Sequence, residues 1–247
     1  MIVLKTAEEL QILEKVNGIV AQILRELGEK IQPGVSSEEL DRYAEMRIRK
    51  EDCVPAFKGY KGYPATLCVS VNSEIVHGIP SEKKLKEGDI VSIDIGAKYR
   101  GFYGDAAATY PVGVISEKAQ KLIDATKGAL ESGINEACEG KRLGDVSSAI
   151  QKFAEEKGFS VVRYFVGHGI GRELHEEPQI PNFGEEGKGI RLKSGMVLAI
   201  EPMVNEGSCD VKILNDGWTA VTKDGKLSAH FEHTVAIRDG KANILTK

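Results

Sequence analysis

The segment Ile90-Val91-Ser92-Ile93-Asp94-Ile95-Gly96-Ala97-Lys98-Tyr99-Arg100-Gly101-Phe102-Tyr103-Gly104-Asp105-Ala106-Ala107 reads as a hairpin. Val91, Ile93 and Ile95 alternate with Ser92 and Asp94 at the period of a half-buried strand, so Asp94 points away from the apolar face. Lys98-Tyr99-Arg100-Gly101 is a tight-turn sequence, and Phe102 onward returns as the second arm. If Lys98 pairs with Gly101, counting back along both arms sets Asp94 directly across from Asp105. Like charges in that relation cost about 0.2–1 kcal/mol even where exposed. A cation between them reverses the sign.

The chain then repeats itself. Lys86-Glu87-Gly88-Asp89-Ile90-Val91-Ser92-Ile93-Asp94 lines up with Lys193-Ser194-Gly195-Met196-Val197-Leu198-Ala199-Ile200-Glu201: lysine, glycine, isoleucine and terminal carboxylate coincide. Val76-His77-Gly78-Ile79 echoes Gly167-His168-Gly169-Ile170, so each half offers a His-Gly-Ile loop followed by a strand ending in an acid. Two such halves face to face would bring both acids to a common centre. A fourth acid lies in Ser228-Ala229-His230-Phe231-Glu232-His233-Thr234-Val235, where alternation puts His230, Glu232 and Thr234 on one face. Pro202, directly after Glu201, cannot donate to a ladder and marks a strand end.

Any single Asp or Glu is a solvated surface residue by about ten to one. The joint pattern shortens those odds, because each of these acids sits among apolar or small strand residues. Four carboxylates cannot share a dry pocket as anions unless cations neutralise them, and a metal pair that does so can also activate water. Asp94, Asp105, His168, Glu201 and Glu232 are the candidate ligands. A carboxylate-rich set with one imidazole suits Mn, Fe(II), Co or Zn and disfavours a thiolate-type structural zinc. The His168 to His175 separation is not the i,i+4 spacing of a zincin helix. His77 and His175 read as hydrogen-bonding or proton-handling residues. His230 and His233 are either outer neighbours of the ligands or packed strand histidines.

The 247 residues are 41% hydrophobic and 28% charged, the profile of a soluble globular protein with one sizeable core. A formal charge of -4 gives no reason to expect nucleic acid. Cys53, Cys68, Cys138 and Cys209 show no C-x-x-C spacing, which suits a reduced cytoplasmic protein. No signal-peptide pattern opens the chain and no apolar run is long enough to span a bilayer. Thr6 to Glu9 makes a capping box, and Leu10, Leu13, Val16, Val20, Ile23, Leu24 and Leu27 recur at helical spacing up to a stop at Gly28. A second helix opens near Ser36 and runs to about Lys50. Segments from Ser116 to about Ser132 and from Leu143 to about Lys157 also read as helices, each stopped by a following glycine. Two helices then acid-bearing strands, twice over, argue for an α+β fold with helices on the outer face of a curved antiparallel sheet. Residues 1–247 read as one catalytic domain with pseudo-twofold halves of approximately 1–112 and 113–247.

The hairpin from Asp94 to Asp105, the segment Phe165-Val166-Gly167-His168-Gly169-Ile170-Gly171, Ile200-Glu201-Pro202 and Phe231-Glu232-His233-Thr234 together resemble the metal motifs of the methionine aminopeptidases, of pita-bread fold. The resemblance covers essentially the whole chain. It implies two divalent ions held by Asp94, Asp105, His168, Glu201 and Glu232, with Asp105 and Glu232 bridging. The short Glu201-to-Glu232 spacing implies type I, and the amino-terminal zinc-binding extension seen in eukaryotic type I enzymes is absent. The implied reaction removes the initiator methionine from nascent polypeptide N-termini, preferring a small second residue. A water between the ions, with Glu201 as general base, attacks the peptide carbonyl. By the same resemblance His175 stabilises the tetrahedral intermediate, His77 contacts the scissile amide, and Phe57, Tyr60, Tyr63, Cys68, Leu174 and Trp218 line a methionine pocket suited to an unbranched thioether. Phe57 and Leu174 stand where some members carry Cys and Phe respectively, and His230 where many carry Gln. The expected partners are nascent chains and, as a further candidate, the ribosome, with no direct nucleic-acid or membrane contact and a monomeric state. The rivals are a prolidase or aminopeptidase P, which usually carry an additional amino-terminal domain, and a non-enzymatic pita-bread binding protein, in which the ligands are lost.

Overall fold

A computed structural model of the protein describes residues 2–247. Helix α1 (Ala7–Gly28) starts on the Thr6 capping box, Glu9 N–H donating to Thr6 Oγ1 and Thr6 N–H to a Glu9 carboxylate oxygen. Helix α2 (Ser37–Lys50) starts on the same device at Ser36 and Glu39. The strands β1 (Val54–Pro55), β2 (Leu67–Val71), β3 (Glu74–Val76), β4 (Ile90–Tyr99) and β5 (Phe102–Pro111) complete the first half. The second half opens with helices α3 (Glu117–Glu136) and α4 (Leu143–Glu156). Its strands are β6 (Ser160–Val161), β7 (Gly167–Gly169), β8 (Glu176–Ile180), β9 (Val197–Ile200), β10 (Met203–Asn205), β11 (Val211–Ile213), β12 (Ala220–Thr222), β13 (Ser228–His230), β14 (Glu232–Arg238) and β15 (Lys241–Ile244). Among the described residues no helix is long and apolar enough to cross a membrane.

The main sheet runs β1-β4-β5-β14-β9-β7-β8, with β2 added on β4 and β15 on β14, all antiparallel. This order is symmetric about the central β5–β14 pair: β4 flanks β5 as β9 flanks β14, and β2 pairs with β4 as β7 pairs with β9. The aligned glycines behave alike. Gly88 and Gly195 both have a φ of 88° and both donate at 2.9 Å to the strand beyond, to Val112 and Ile237 respectively. The helices cover one side of the sheet in two separate cores. Val16, Val20, Ile23, Leu24 and Leu27 of α1 and Leu40, Ala44 and Ile48 of α2 pack on Leu67, Val91, Ile93 and Ile95, while Leu10 and Leu13 join a further cluster with Phe57, Tyr63, Cys68 and Leu174. Leu122, Ile134, Val146 and Ile150 of α3 and α4 pack on Leu198, Ile200, Val235 and Ile237. Each such side chain, fully buried, contributes about 1.5–3 kcal/mol. The opposite side of the central strands is left free to carry polar groups.

Four local expectations need correction. The hairpin turns at Arg100-Gly101, with φ of 47° and 85°, a two-residue turn of the kind whose twist matches its strands. Tyr99 therefore pairs with Phe102, Asp94 lies across from Ala107, and Asp105 across from Gly96. The third helix continues past Ser132 to Glu136, because Gly133 does not stop it. A Cβ there would lie 2.7 Å from Ile150 Cγ1, so Gly133 is a point of close approach between α3 and α4. Gly28 likewise ends α1 without a left-handed φ and lies under the Tyr110 ring. The two His-Gly-Ile echoes differ locally: His168 sits within strand β7, while His77 follows β3 with a φ of 62°. The last acid-bearing segment is two strands, not one. The chain breaks at Phe231, and β13 joins β10 and β6 in a small separate sheet.

The α3–α4 contact yields a test of packing against propensity. Gly133→Leu gains about 1 kcal/mol of helix propensity, but forcing side-chain volume onto the fully buried Ile150 costs about 1–3 kcal/mol or more. The urea midpoint is expected to fall; a rise would mean the helices part freely.

Candidate active site

Strand register builds the site in two rows. In the first, Cys68 pairs with Asp94, Asp94 with Ala107, and Ala107 with Glu232. In the second, two residues along each strand and so on the same face, Gly96 pairs with Asp105, and Ala199 pairs with both Thr234 and His168. Thr234 joins the two parts of this second row across the central seam, its hydroxyl donating to the Asp105 carbonyl at 2.8 Å. Glu201 follows the end of β9, in the gap before β10 that Pro202 occupies. Small residues alternate with the acids across the sheet, and this leaves room for four carboxylates on one face.

The distances are short. His168 Nε2 lies 4.0 Å from Asp105 Oδ2 and 3.5 Å from Glu201 Oε1. Ligand atoms of Asp105, His168 and Glu232 all lie within 4.8 Å of one another. Burial pushes the Asp94 and Glu201 carboxyls up to about 7, and drives Asp105 and Glu232 well above the carboxylate range, with repulsion from their neighbours adding to it. Asp94 Oδ1, Asp105 Oδ1, Glu232 Oε1 and His230 Nε2 are buried without a hydrogen-bond partner. His168 Nδ1 donates to the Gly169 carbonyl at 2.9 Å, which leaves its Nε2 lone pair facing the acids. Unpaired oxygens, one correctly presented imidazole and unfavourably crowded carboxyls are what divalent cations would satisfy. The donor set fits the metal ions that the resemblance implies.

All thirteen expected site residues line one cavity, of about 750 Å³ counting its open mouth. Asp94, Asp105, His168, Glu201 and Glu232 form the floor. Trp218 meets Tyr63 edge-on at 5.1 Å, and His77 stands edge-on to Phe165 at 5.2 Å and to Trp218 at 6.4 Å. Phe57 lies over Gly96, where a Cβ would come within 2.7 Å of its ring. His175 holds the mouth, its Nδ1 2.9 Å from Tyr60 Oη and its ring centroid 4.3 Å from that of His168. Burial, helped by His230, lowers His77 to about 4, so it is neutral at physiological pH.

The two remaining histidines separate. His230 Nε2 is 3.5 Å from Glu201 Oε2, and its backbone is clamped by Thr109, whose hydroxyl accepts from His230 N–H, donates to His230 C=O and meets Ser92 Oγ. His233 is turned to the other side of the sheet, against Thr246, and takes no part in the site.

Three residues at the site were not anticipated. Lys61 lines the mouth in a strained turn, with a φ of 48° and no pattern in the sequence to announce it. Phe165 backs His77. Asn17 is fully buried within the apolar stripe of α1, where its Oδ1 accepts from Asp105 N–H at 3.3 Å. A polar residue between Leu13, Val16 and Val20 was the available signal.

The model of metallopeptidase family M24 matches residues 11–239. The chain belongs to that family, in its methionine aminopeptidase branch. Methionine aminopeptidase 1 of Bacillus subtilis is 55% identical over 247 residues, 100% of both chains, and the methionine aminopeptidase of Clostridium perfringens is 54% identical over 100% of this chain and 99% of its own. The crystal structure of methionine aminopeptidase from Thermotoga maritima superposes with a TM-score of 0.99 at 52% identity, covering 100% of each chain. The prolidase from Pyrococcus furiosus shares the pita-bread arrangement at a TM-score of 0.79 and 27% identity, over 99% of this chain but 65% of that one. The family makes this protein a metal-dependent peptidase, and the branch an aminopeptidase.

Removing one charge from the floor isolates its energetics. The Asp94 carboxyl ordinarily titrates at 3.8 and here near 7, so the fold favours its protonated form. Its ionisation therefore costs metal-free stability progressively as pH rises from about 4 to about 7, and the cost is constant above. In EDTA, Asp94→Asn is expected to raise the melting temperature at pH 8 and leave it unchanged below pH 4. With manganese present the same substitution is expected to lower it. Identical shifts with and without metal would contradict this account of the floor.

Proposed function

We propose that the protein removes the initiator methionine from nascent polypeptides in the cytoplasm when the second residue is small. The observation that supports this most is the apolar, aromatic-walled cavity ending on the carboxylate floor. Its walls suit a thioether side chain. Two divalent ions would be held by Asp94, Asp105, His168, Glu201 and Glu232 and would supply polarisation of the peptide carbonyl and activation of water. Co, Mn, Fe(II) and Zn all suit the donor set.

The protein groups divide the remaining work. Glu201 accepts the proton of the attacking water on a carboxylate oxygen and returns it to the leaving nitrogen. With the Tyr60 hydroxyl donating to His175 Nδ1, the ring proton of His175 sits on Nε2, free to donate to the carbonyl oxygen as it gains charge. His77, neutral and braced by Phe165 and Trp218, contacts the scissile amide. Phe57, Tyr60, Tyr63, Cys68, Leu174 and Trp218 enclose the methionine side chain. Nascent chains are the partners, with the ribosome as their source, and the protein acts as a monomer.

Mass spectrometry of a peptide panel under several metals tests the reading. Methionine release from Met-Ala peptides, none from Met-Leu peptides, and intact Xaa-Pro peptides are expected; Xaa-Pro cleavage would move the protein to the prolidase side of the family. An oxyanion donor is worth about 2.7–4 kcal/mol, so His175→Ala is expected to lower turnover by roughly 10²–10³ while calorimetric metal binding is unchanged. Glu201→Gln is expected to abolish turnover and weaken metal binding together.

A further inference from the structure

His175 sits at the end of a six-residue excursion, Ile170 to His175, inserted between strands β7 and β8, and the pairing of Gly169 with Glu176 closes its base. Such a loop has few bonds of its own. Gly171 N–H donates to the Glu173 carbonyl at 3.2 Å, and Tyr103 N–H donates to the Gly171 carbonyl at 2.8 Å. Ile170 N–H donates to the Val197 carbonyl at 3.1 Å and Arg172 Nη2 to Glu9 Oε1 at 2.9 Å, and the carboxylate of Glu176, next to His175, ties two more amides: Oε1 accepts from Arg172 N–H at 2.7 Å and from Glu173 N–H at 3.3 Å. Its other oxygen, Oε2, meets Lys5 Nζ at 2.6 Å.

Lys5 is an unusual partner. Its side chain is 2% exposed and that of Glu176 14%, so both charges are largely withdrawn from water. Nζ also donates to the Val3 carbonyl at 3.1 Å, and Lys5 N–H donates to the Gly195 carbonyl at 2.8 Å. The lysine stem passes where a Cβ on Gly171 would fall, 2.3 Å from Lys5 Cε. A residue ahead of α1 thus reaches under the loop and fixes the carboxylate that ties it. Among the described residues Lys5 is the only basic side chain paired with Glu176.

We propose that the Lys5–Glu176 pair is a positioning device for His175, setting the loop so that the imidazole faces the scissile carbonyl. This rests on the reading of His175 as the group that meets the substrate. Breaking a buried pair leaves the surviving charge uncompensated, which drives it toward water and takes the loop with it. A displacement of about 1 Å at a reacting group can cost roughly 100-fold in rate. Of the metal floor only His168 lies on a strand that borders the loop, and β9 holds that strand on its other side, so the floor is left intact.

The test uses manganese-loaded full-length protein with a Met-Ala peptide. Lys5→Met and Glu176→Gln are each expected to lower kcat roughly tenfold or more, with KM changed less than about threefold and metal binding by calorimetry unchanged. In the His175→Ala background, Lys5→Met is expected to add no further loss, because a group acting through the imidazole has nothing left to position. Both single variants keeping kcat within about twofold, or an additive loss in the double variant, would overturn the proposal. Should Lys5→Met fail to fold, Glu176→Gln, which preserves shape, carries the same comparison with His175→Ala. Full turnover in His175→Ala alone would instead remove the role of His175. Loss there, with both pair variants unaffected, removes only the positioning role.

Discussion

Four carboxyl groups crowded onto one buried face of a sheet, each desolvated and each repelling the others, are the constraint around which this molecule is built. Without cations the face is a liability: Asp94, Asp105, Glu201 and Glu232 are all pushed toward protonation, and three of them keep an oxygen with no partner. The apolar sides of the same strands, packed on helices, supply the stability that tolerates it. The two cores lie on the helix side, one in each half, and neither reaches the polar face.

Duplication explains how such a face arises. Each half contributes one acid from a strand of the central pair, Asp105 or Glu232, and one from or just beyond its neighbour, Asp94 or Glu201. The halves match in strand order and in the glycine turns at Gly88 and Gly195. They diverge where chemistry differs. Pro202 and the break at Phe231 carry β10 and β13 out of the main sheet, so that Glu201 projects from a strand end and His230 comes to stand beside it. His168 occupies a strand while His77 occupies a strained loop, and one imidazole faces the floor while the other joins the aromatic wall.

The surroundings of the floor are held by polar groups borrowed from distant segments. Asn17 of α1 and Thr234 of β14 take the N–H and C=O of Asp105, which the ladder toward β14 leaves free. Thr109, itself bonded to Ser92, clamps the His230 backbone. Lys5 reaches Glu176 below His175. Each is a hydrogen bond made largely out of reach of water, so each narrows the positions available to a residue at the site.

Periodicity in the sequence was enough to place the four helices, the acid-bearing strands and the internal repeat, because alternation and helical stripes are local consequences of which face is buried. Motif resemblance was enough to name the residues lining the cavity. Registers and contacts were not legible. The left-handed φ of Arg100 moved the hairpin turn by one residue and set Asp94 across from Ala107, since turn conformation depends on strand twist as well as on turn composition. Gly133 had the composition of a stop and serves as a contact because α4 crosses there. Phe231 reads as a strand residue yet ends one strand and precedes another, which only sheet curvature decides. The sequence by itself determined which residues are polar within apolar strands, and hence that a charged face had to be neutralised. The tertiary structure alone decided how those charges share space, because long-range strand pairing and the reach of Lys5, Asn17 and Thr234 depend on segments far apart in the chain.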